Sequence, residues 1–126
     1  MQIIGFVRTG LGRGKKFMPV YAALFLEHLG FEPFHGTLNL SVDETVAKKL
    51  ESISKHRIPA FTHSKHSYGA VDYIPARVHN IECALIFPLK SIHPKTIVEI
   101  IAPIYLRDAL EIIDGDKVKV QLEESK

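Results

Sequence analysis

Thr37 and Asn39 stand two residues apart in "HGTLNLSV", directly after Gly36. Leu38 and Leu40 alternate with them, which is the period of a strand with one apolar and one wet face. That places two neutral oxygen-bearing side chains on one face, roughly 7 Å apart along the chain. A hard cation such as Mg²⁺ takes oxygen ligands, keeps several waters and draws on substrate phosphates for the rest. An ordinary exposed strand face has the same spacing, so both readings stand at this level.

A second constellation is "TGLGRGKKF". Gly10, Gly12 and Gly14 let a backbone approach a ligand closely and turn its N–H groups inward. Arg13, Lys15 and Lys16 add positive charge, a combination that suits phosphate groups. No Ser or Thr follows the lysine as a Walker A loop requires. The third glycine comes one residue early for the dinucleotide fingerprint, and no long helix is expected to start on it. A flexible hairpin loop is the competing reading.

Glu99 is the third candidate, a carboxylate inside the apolar run "TIVEIIAPIYLR". It lies either on a solvated strand face or in a pocket, where desolvation would raise its pKa and suit it to general-base work. His63 and His66 lie close together, but no third ligand is spaced to complete a zinc site. The single cysteine, Cys83, excludes an intramolecular disulfide and reads as a buried small hydrophobe in "IECALIF".

The elements that must position these residues are short. Strands are expected at "QIIGFVRT", "GTLNLSV", "RIPAFTH", "YGAVDYIPARVHN", "IECALIFPL", "TIVEIIAPI" and "KVKVQL". Pro59, Pro75 and Pro88 interrupt the middle ones, which suggests edges, bends or bulges. The main helix is expected over Pro19 to Leu29. Its stripe is Tyr21, Leu24, Phe25, His28 and Leu29, with Pro19 in the first turn, Gly30 past the end and His28 as a packed core residue. A shorter helix follows Asp43 as N-cap, and "YLRDALEI" is a helical turn. The fold class is therefore mainly β: a compact barrel with one main helix and short helical insertions.

Bulk properties set limits. The 126 residues fit one domain, and 46% hydrophobic with 24% charged residues is ordinary for a globular protein. A net charge of +2 is too mild to argue for nucleic acid. No segment resembles a signal peptide or a membrane span, so the cytoplasm is the default location.

Taken in order, "GLGRGKKF", "LGFEPFHGTLNLSV" and "IVEIIAPIYLRDALEIIDGDKVKV" closely resemble the archaeal-type CTP-dependent riboflavin kinases. The likeness covers nearly the whole chain and is weakest from Asp43 to Arg77. It implies a six-stranded cradle-loop β-barrel that transfers the terminal phosphate of CTP to the 5′-hydroxyl of riboflavin, giving FMN and CDP. It further implies that Gly10, Leu11, Gly12, Arg13, Gly14 and Lys15 hold the nucleotide. Ile104, Tyr105, Leu106 and Arg107 would enclose the same nucleotide, through backbone groups that read the cytosine. Thr37 and Asn39 would bind Mg²⁺, and Glu99 would be the general base at the ribityl end of the flavin. Ser91 would contact the FMN phosphate, where the family pattern favours threonine. The preference for CTP rests on resemblance alone.

Larger proteins of that family can carry a helix-turn-helix domain ahead of the barrel. Met1 opens the first strand here, so none is expected, and residues 1–126 are read as one barrel domain. A monomer with no nucleic-acid or membrane partner goes with that reading, and the polar "THSKHSYG" is a candidate lid. Two rivals remain: a DNA-binding regulator of swapped-hairpin type, and a flavin-binding protein without turnover.

Overall fold

Strict alternation marks the strands at the two ends of the chain. In β1 (Gln2–Arg8), Ile3 and Val7 are buried between exposed neighbours. Three more strands follow the main helix α1 (Gly14–Leu29): β2 (Leu38–Ser41), then, after α2 (Glu44–Ser52), β3 (His56–Ile58) and β4 (Phe61–His63). The chain continues through β5 (His66–Tyr68), β6 (Val71–Val78), β7 (Ile81–Pro88) and β8 (Ile97–Ile101). It ends in a short helix, α3 (Leu106–Leu110), and in β9 (Lys117–Leu122), which buries Val118, Val120 and Leu122. The computed structural model describes residues 1–10, 14–90 and 94–123.

Six of these strands close on themselves in the order β1–β2–β8–β7–β6–β9 and back to β1, all antiparallel. This is the six-stranded barrel expected from the sequence. The long strand β6 shares one edge between two partners. Val71 to Tyr73 pair with β3, while Ala76 and Arg77 pair with β9. Pro75 lies between the two pairings, where a residue without an N–H costs least.

Two cores lie on opposite faces of the barrel wall. Inside are Leu38, Leu40, Ile74, Cys83, Leu85, Val98, Ile100 and Val120, with Ala47 and Leu50 of α2 packed against them. Outside, Met18, Tyr21 and Phe25 of α1 cover Val71, Tyr73, Ala84, Ile86 and Ile101. Strands β7 and β8 are buried on both faces, which is why they read as unbroken apolar runs.

Three local expectations change. The main helix begins at Gly14, ahead of Pro19, which sits inside it. The proline forfeits one backbone bond, and burial of Met18 (0% exposed) with partial burial of Phe17 offsets that loss. His28 is exposed at the helix edge, its Nδ1 3.3 Å from Tyr73 Oη, and is not a core residue. "RIPAFTH" splits at Pro59 and Ala60 into β3 and β4, and β4 pairs with β5 in a hairpin through the polar stretch that follows. Ser64 and Lys65 form its two-residue turn with φ of 49° and 67°. Phe61 stacks on Tyr68 across that hairpin, 5.2 Å between ring centres, and Tyr21 meets both rings edge-on. The Tyr21 hydroxyl donates to Gly69 O at 2.7 Å, so α1 and the hairpin form one unit.

Among the described residues no helix is long and apolar enough to cross a membrane. Asp43 caps α2 as expected, its Oδ1 accepting from Val46 N at 2.9 Å. Asp43→Ala should lower unfolding stability by about 1 kcal/mol with the fold unchanged. Urea denaturation followed by circular dichroism checks this.

Candidate functional site

Outward-facing residues of neighbouring strands line up across the barrel wall. Arg8 of β1 is opposite Asn39 of β2, Asn39 is opposite Glu99 of β8, and Glu99 is opposite Ile86 of β7. The sequence suggested a wet face for Asn39. It is instead 7% exposed, as is Glu99. Thr37 precedes β2, so the strand period does not hold it 7 Å away. Its Oγ1 donates to Glu99 Oε2 at 3.3 Å and lies 3.5 Å from Asn39 Nδ2. Three side chains that the sequence scatters from position 37 to position 99 thus meet at one point.

Two observations say what that point can hold. Asn39 Oδ1 is buried and accepts no hydrogen bond among the described residues. Such an acceptor costs free energy until a donor or a cation reaches it. The Asn39 amide turns Nδ2, not Oδ1, toward the Thr37 oxygens, so only with the amide turned over would Thr37, Asn39 and Glu99 offer the all-oxygen set that suits a hard cation. Among the described residues no group of three His, Cys, Asp or Glu is placed to hold a metal, and His63 faces only His66 across the hairpin.

Gly10 closes the site from above. A Cβ at this position would stand 2.2 Å from Asn39 Nδ2 and 2.7 Å from its Cγ. Only glycine allows the end of β1 to lie on the Asn39 amide. Leu11, Gly12 and Arg13 lie outside the described residues. Gly14 and Lys15 are not loop residues: they open α1, contrary to the expectation that no long helix starts on the third glycine. The first turn of α1 contains no acidic residue, and its backbone N–H groups lack helical acceptors.

A shallow hollow adjoins Thr37 on one side, lined by Phe34, Gly36, Ile104, Tyr105 and Arg107. Phe34 and Tyr105 stack at 5.0 Å with 24° between planes, and both remain exposed. Of the four residues from Ile104 to Arg107, Leu106 is anchored in the barrel core at 3% exposure. The Arg107 guanidinium donates to Asp114 Oδ1 at 2.7 Å and to Arg8 O at 3.1 Å, so it serves the scaffold.

A cleft of about 580 Å³ opens on the other side of Glu99, walled by Ile86, Phe87, Leu89 and Ile97 and by α2. Lys55, which the sequence left unremarked, lines it too. Its Nζ donates to Leu50 O at 2.5 Å and Ile53 O at 3.1 Å, and sits 5.1 Å from the centre of the Phe87 ring. Burial pushes its pKa down. In "ISKHRI" nothing distinguishes this lysine from a solvated one. Ser91 lies outside the described residues. Cys83 is inside the barrel, where burial pushes its thiol up to about 12, so it is packing and not a nucleophile.

Gly10→Ala forces the end of β1 away from Asn39. The expected outcome is loss of at least about 10-fold in affinity for a nucleotide–metal complex, with thermal unfolding little changed. Calorimetric titration beside a melting curve tests it.

The family model CTP-dep_RFKase, described as "Domain of unknown function DUF120", matches residues 7–122. The chain is 41% identical over 122 residues to the riboflavin kinase of Pyrococcus abyssi (strain GE5 / Orsay), covering 95% of this chain and 58% of that protein. It is 41% identical over 123 residues to that of Methanoregula boonei, covering 94% and 55%. For the riboflavin kinase of Ignicoccus hospitalis the identity is 41% over 121 residues, covering 92% and 68%. The chain therefore spans little more than half the length of the first two relatives. A match that runs from the end of β1 to the end of β9, through every residue of the site just described, shows that the chain belongs to the CTP-dep_RFKase (DUF120) family.

Proposed function

We propose that this chain is a riboflavin kinase that uses CTP, transferring its terminal phosphate to the ribityl 5′-hydroxyl of riboflavin. The observation that carries this reading is the meeting of Thr37, Asn39 and Glu99 beneath Gly10, between an aromatic hollow and a cleft lined by both apolar and charged side chains. Phosphoryl transfer asks a protein chiefly to position two substrates and neutralise charge. Here two differently shaped recesses flank one polar point. The relatives' name supplies the reaction, and the family's name supplies the donor.

In this reading the cleft takes the flavin ring against Ile86, Phe87 and Leu89, with the ribityl chain directed at Glu99. Glu99 accepts the 5′-hydroxyl proton as that oxygen bonds to the terminal phosphorus. The bond from phosphorus to the bridging oxygen breaks, and the electron pair leaves with CDP. Thr37 and Asn39 would hold Mg²⁺, the oxygen set and the orphaned Asn39 Oδ1 being the grounds for it. The ion would supply charge neutralisation at the phosphates. Gly10 to Lys15 and the first turn of α1 would bring backbone N–H groups to those phosphates. Ile104 and Tyr105 would flank the base, with Leu106 and Arg107 fixing their backbone. Ser91 would reach the transferred phosphate.

Purified protein incubated with riboflavin, Mg²⁺ and each of CTP, ATP, GTP and UTP should form FMN chiefly with CTP, read by chromatography. FMN from ATP alone would sink the donor. No FMN from any nucleotide, with riboflavin still bound, would favour a flavin-binding protein without turnover, and a DNA titration would test the regulator reading. Asn39→Ala should cut turnover at least about 100-fold while leaving riboflavin affinity within about 3-fold. Near-normal turnover at saturating Mg²⁺ would remove Asn39 from the ion's shell. Glu99→Gln should lower kcat about 10²–10⁴-fold with little change in the KM for nucleotide; an unchanged rate would leave Glu99 as a positioning group.

A further inference from the structure

Asp114 lies in the turn between α3 and β9, outside both recesses, and each of its carboxylate oxygens has a separate partner. Oδ2 accepts from Thr9 Oγ1 at 2.5 Å, a contact between residues 105 apart in sequence. Oδ1 accepts from the Arg107 guanidinium at 2.7 Å, and that same nitrogen donates to Arg8 O at 3.1 Å. The turn itself is fastened to β1: Gly115 N donates to Val7 O at 2.7 Å, and Val7 N to Asp116 O at 2.8 Å. Thr9 immediately precedes Gly10, whose Cα rests on the Asn39 amide. Arg107 ends the segment that carries Ile104 and Tyr105. One carboxylate therefore joins Thr9, the neighbour of Gly10, to Arg107 at the end of residues 104–107.

We propose that Asp114 is a positioning residue that holds Gly10 in place relative to residues 104–107 on the nucleotide side of the site. The proposal rests on the functional reading above and adds a residue that touches neither substrate. The Thr9 hydroxyl and then the Arg107 guanidinium hold the Asp114 carboxyl below the usual carboxylate range, so its charge is present throughout neutral pH. The pair is largely at the surface, with Asp114 53% and Arg107 25% exposed. Ion pairs in that setting add little to global stability. What this one fixes is geometry: where Gly10 lies relative to Tyr105. A small misplacement of a substrate-holding segment is costly to binding and rate even when the fold is intact.

The test is calorimetric titration of a CTP analogue with a methylene β–γ bridge, plus Mg²⁺, into wild type, Asp114→Asn, Thr9→Val and the double variant. Riboflavin affinity by fluorescence quenching and a melting curve accompany each. Asp114→Asn should weaken analogue binding about 10-fold and leave riboflavin affinity within about 2-fold. Thr9→Val should weaken it less, and the double variant should be no weaker than Asp114→Asn, since both act through one link. Analogue binding unchanged in Asp114→Asn, or equal losses for analogue and riboflavin, would overturn the proposal. Should Asp114→Asn fail to fold, Thr9→Val decides: a selective loss for the analogue supports the link, and none overturns it. Wild type that binds no nucleotide at all would overturn the kinase reading and this proposal together, whereas a wild type that binds and an Asp114→Asn that binds equally well would remove the positioning role alone.

Discussion

A buried carbonyl oxygen with no donor is a standing cost, and Asn39 Oδ1 is the one buried side-chain oxygen or nitrogen so left among the described residues. The surrounding structure makes the cost unavoidable. Leu38 and Leu40 must enter the barrel, so Asn39 must point outward on the same strand. Pairing with β1 and β8 on either side leaves the strand no room to shift register. Gly10 then lies so close to the amide that a Cβ there would stand 2.2 Å from Asn39 Nδ2.

The double-sided wall gives that group its setting. Most small barrels bury one face of their strands. Here α1 covers the outer face of β6, β7 and β8, so that face is apolar up to Ile86 and Ile101. Glu99 sits at the margin of the covered area, one register step from Ile86 and one from Asn39. Its carboxylate is thus held between the mixed lining of the cleft and the polar cluster of Thr37 and Asn39. The aromatic link from Tyr21 to Phe61 and Tyr68 extends the same outer layer, which makes the hairpin a continuation of the wall.

How much of this could be read in the sequence depends on whether the signal was local. The barrel could, because β1 and β9 alternate cleanly. The start of α1 could not: Pro19 and three glycines argue against a helix, and only burial of Met18 under tertiary contacts reverses that. The hairpin after Thr62 was equally hidden, since Ser64 and Lys65 adopt positive φ without a glycine to announce it. Thr37, Asn39 and Glu99 were legible by type. Their meeting was not, because register across β2 and β8 decides it. Lys55 gave no signal, being one lysine among many until Phe87 is placed beneath it.

Asp114 shows the limit most plainly. In the sequence it belongs to a turn, and a turn is a sufficient reason for an aspartate followed by glycine. In the fold, backbone bonds from Val7 to Gly115 and Asp116 already secure the turn. The carboxylate is then free of that duty and spans Thr9 and Arg107 instead. A side chain whose local role has been taken over by the backbone is available for a long-range one. Barrels built from short strands supply many such positions, because each hairpin end brings remote segments within one side chain's reach. Here that reach joins Thr9, beside Gly10, to Arg107 across 98 positions of sequence.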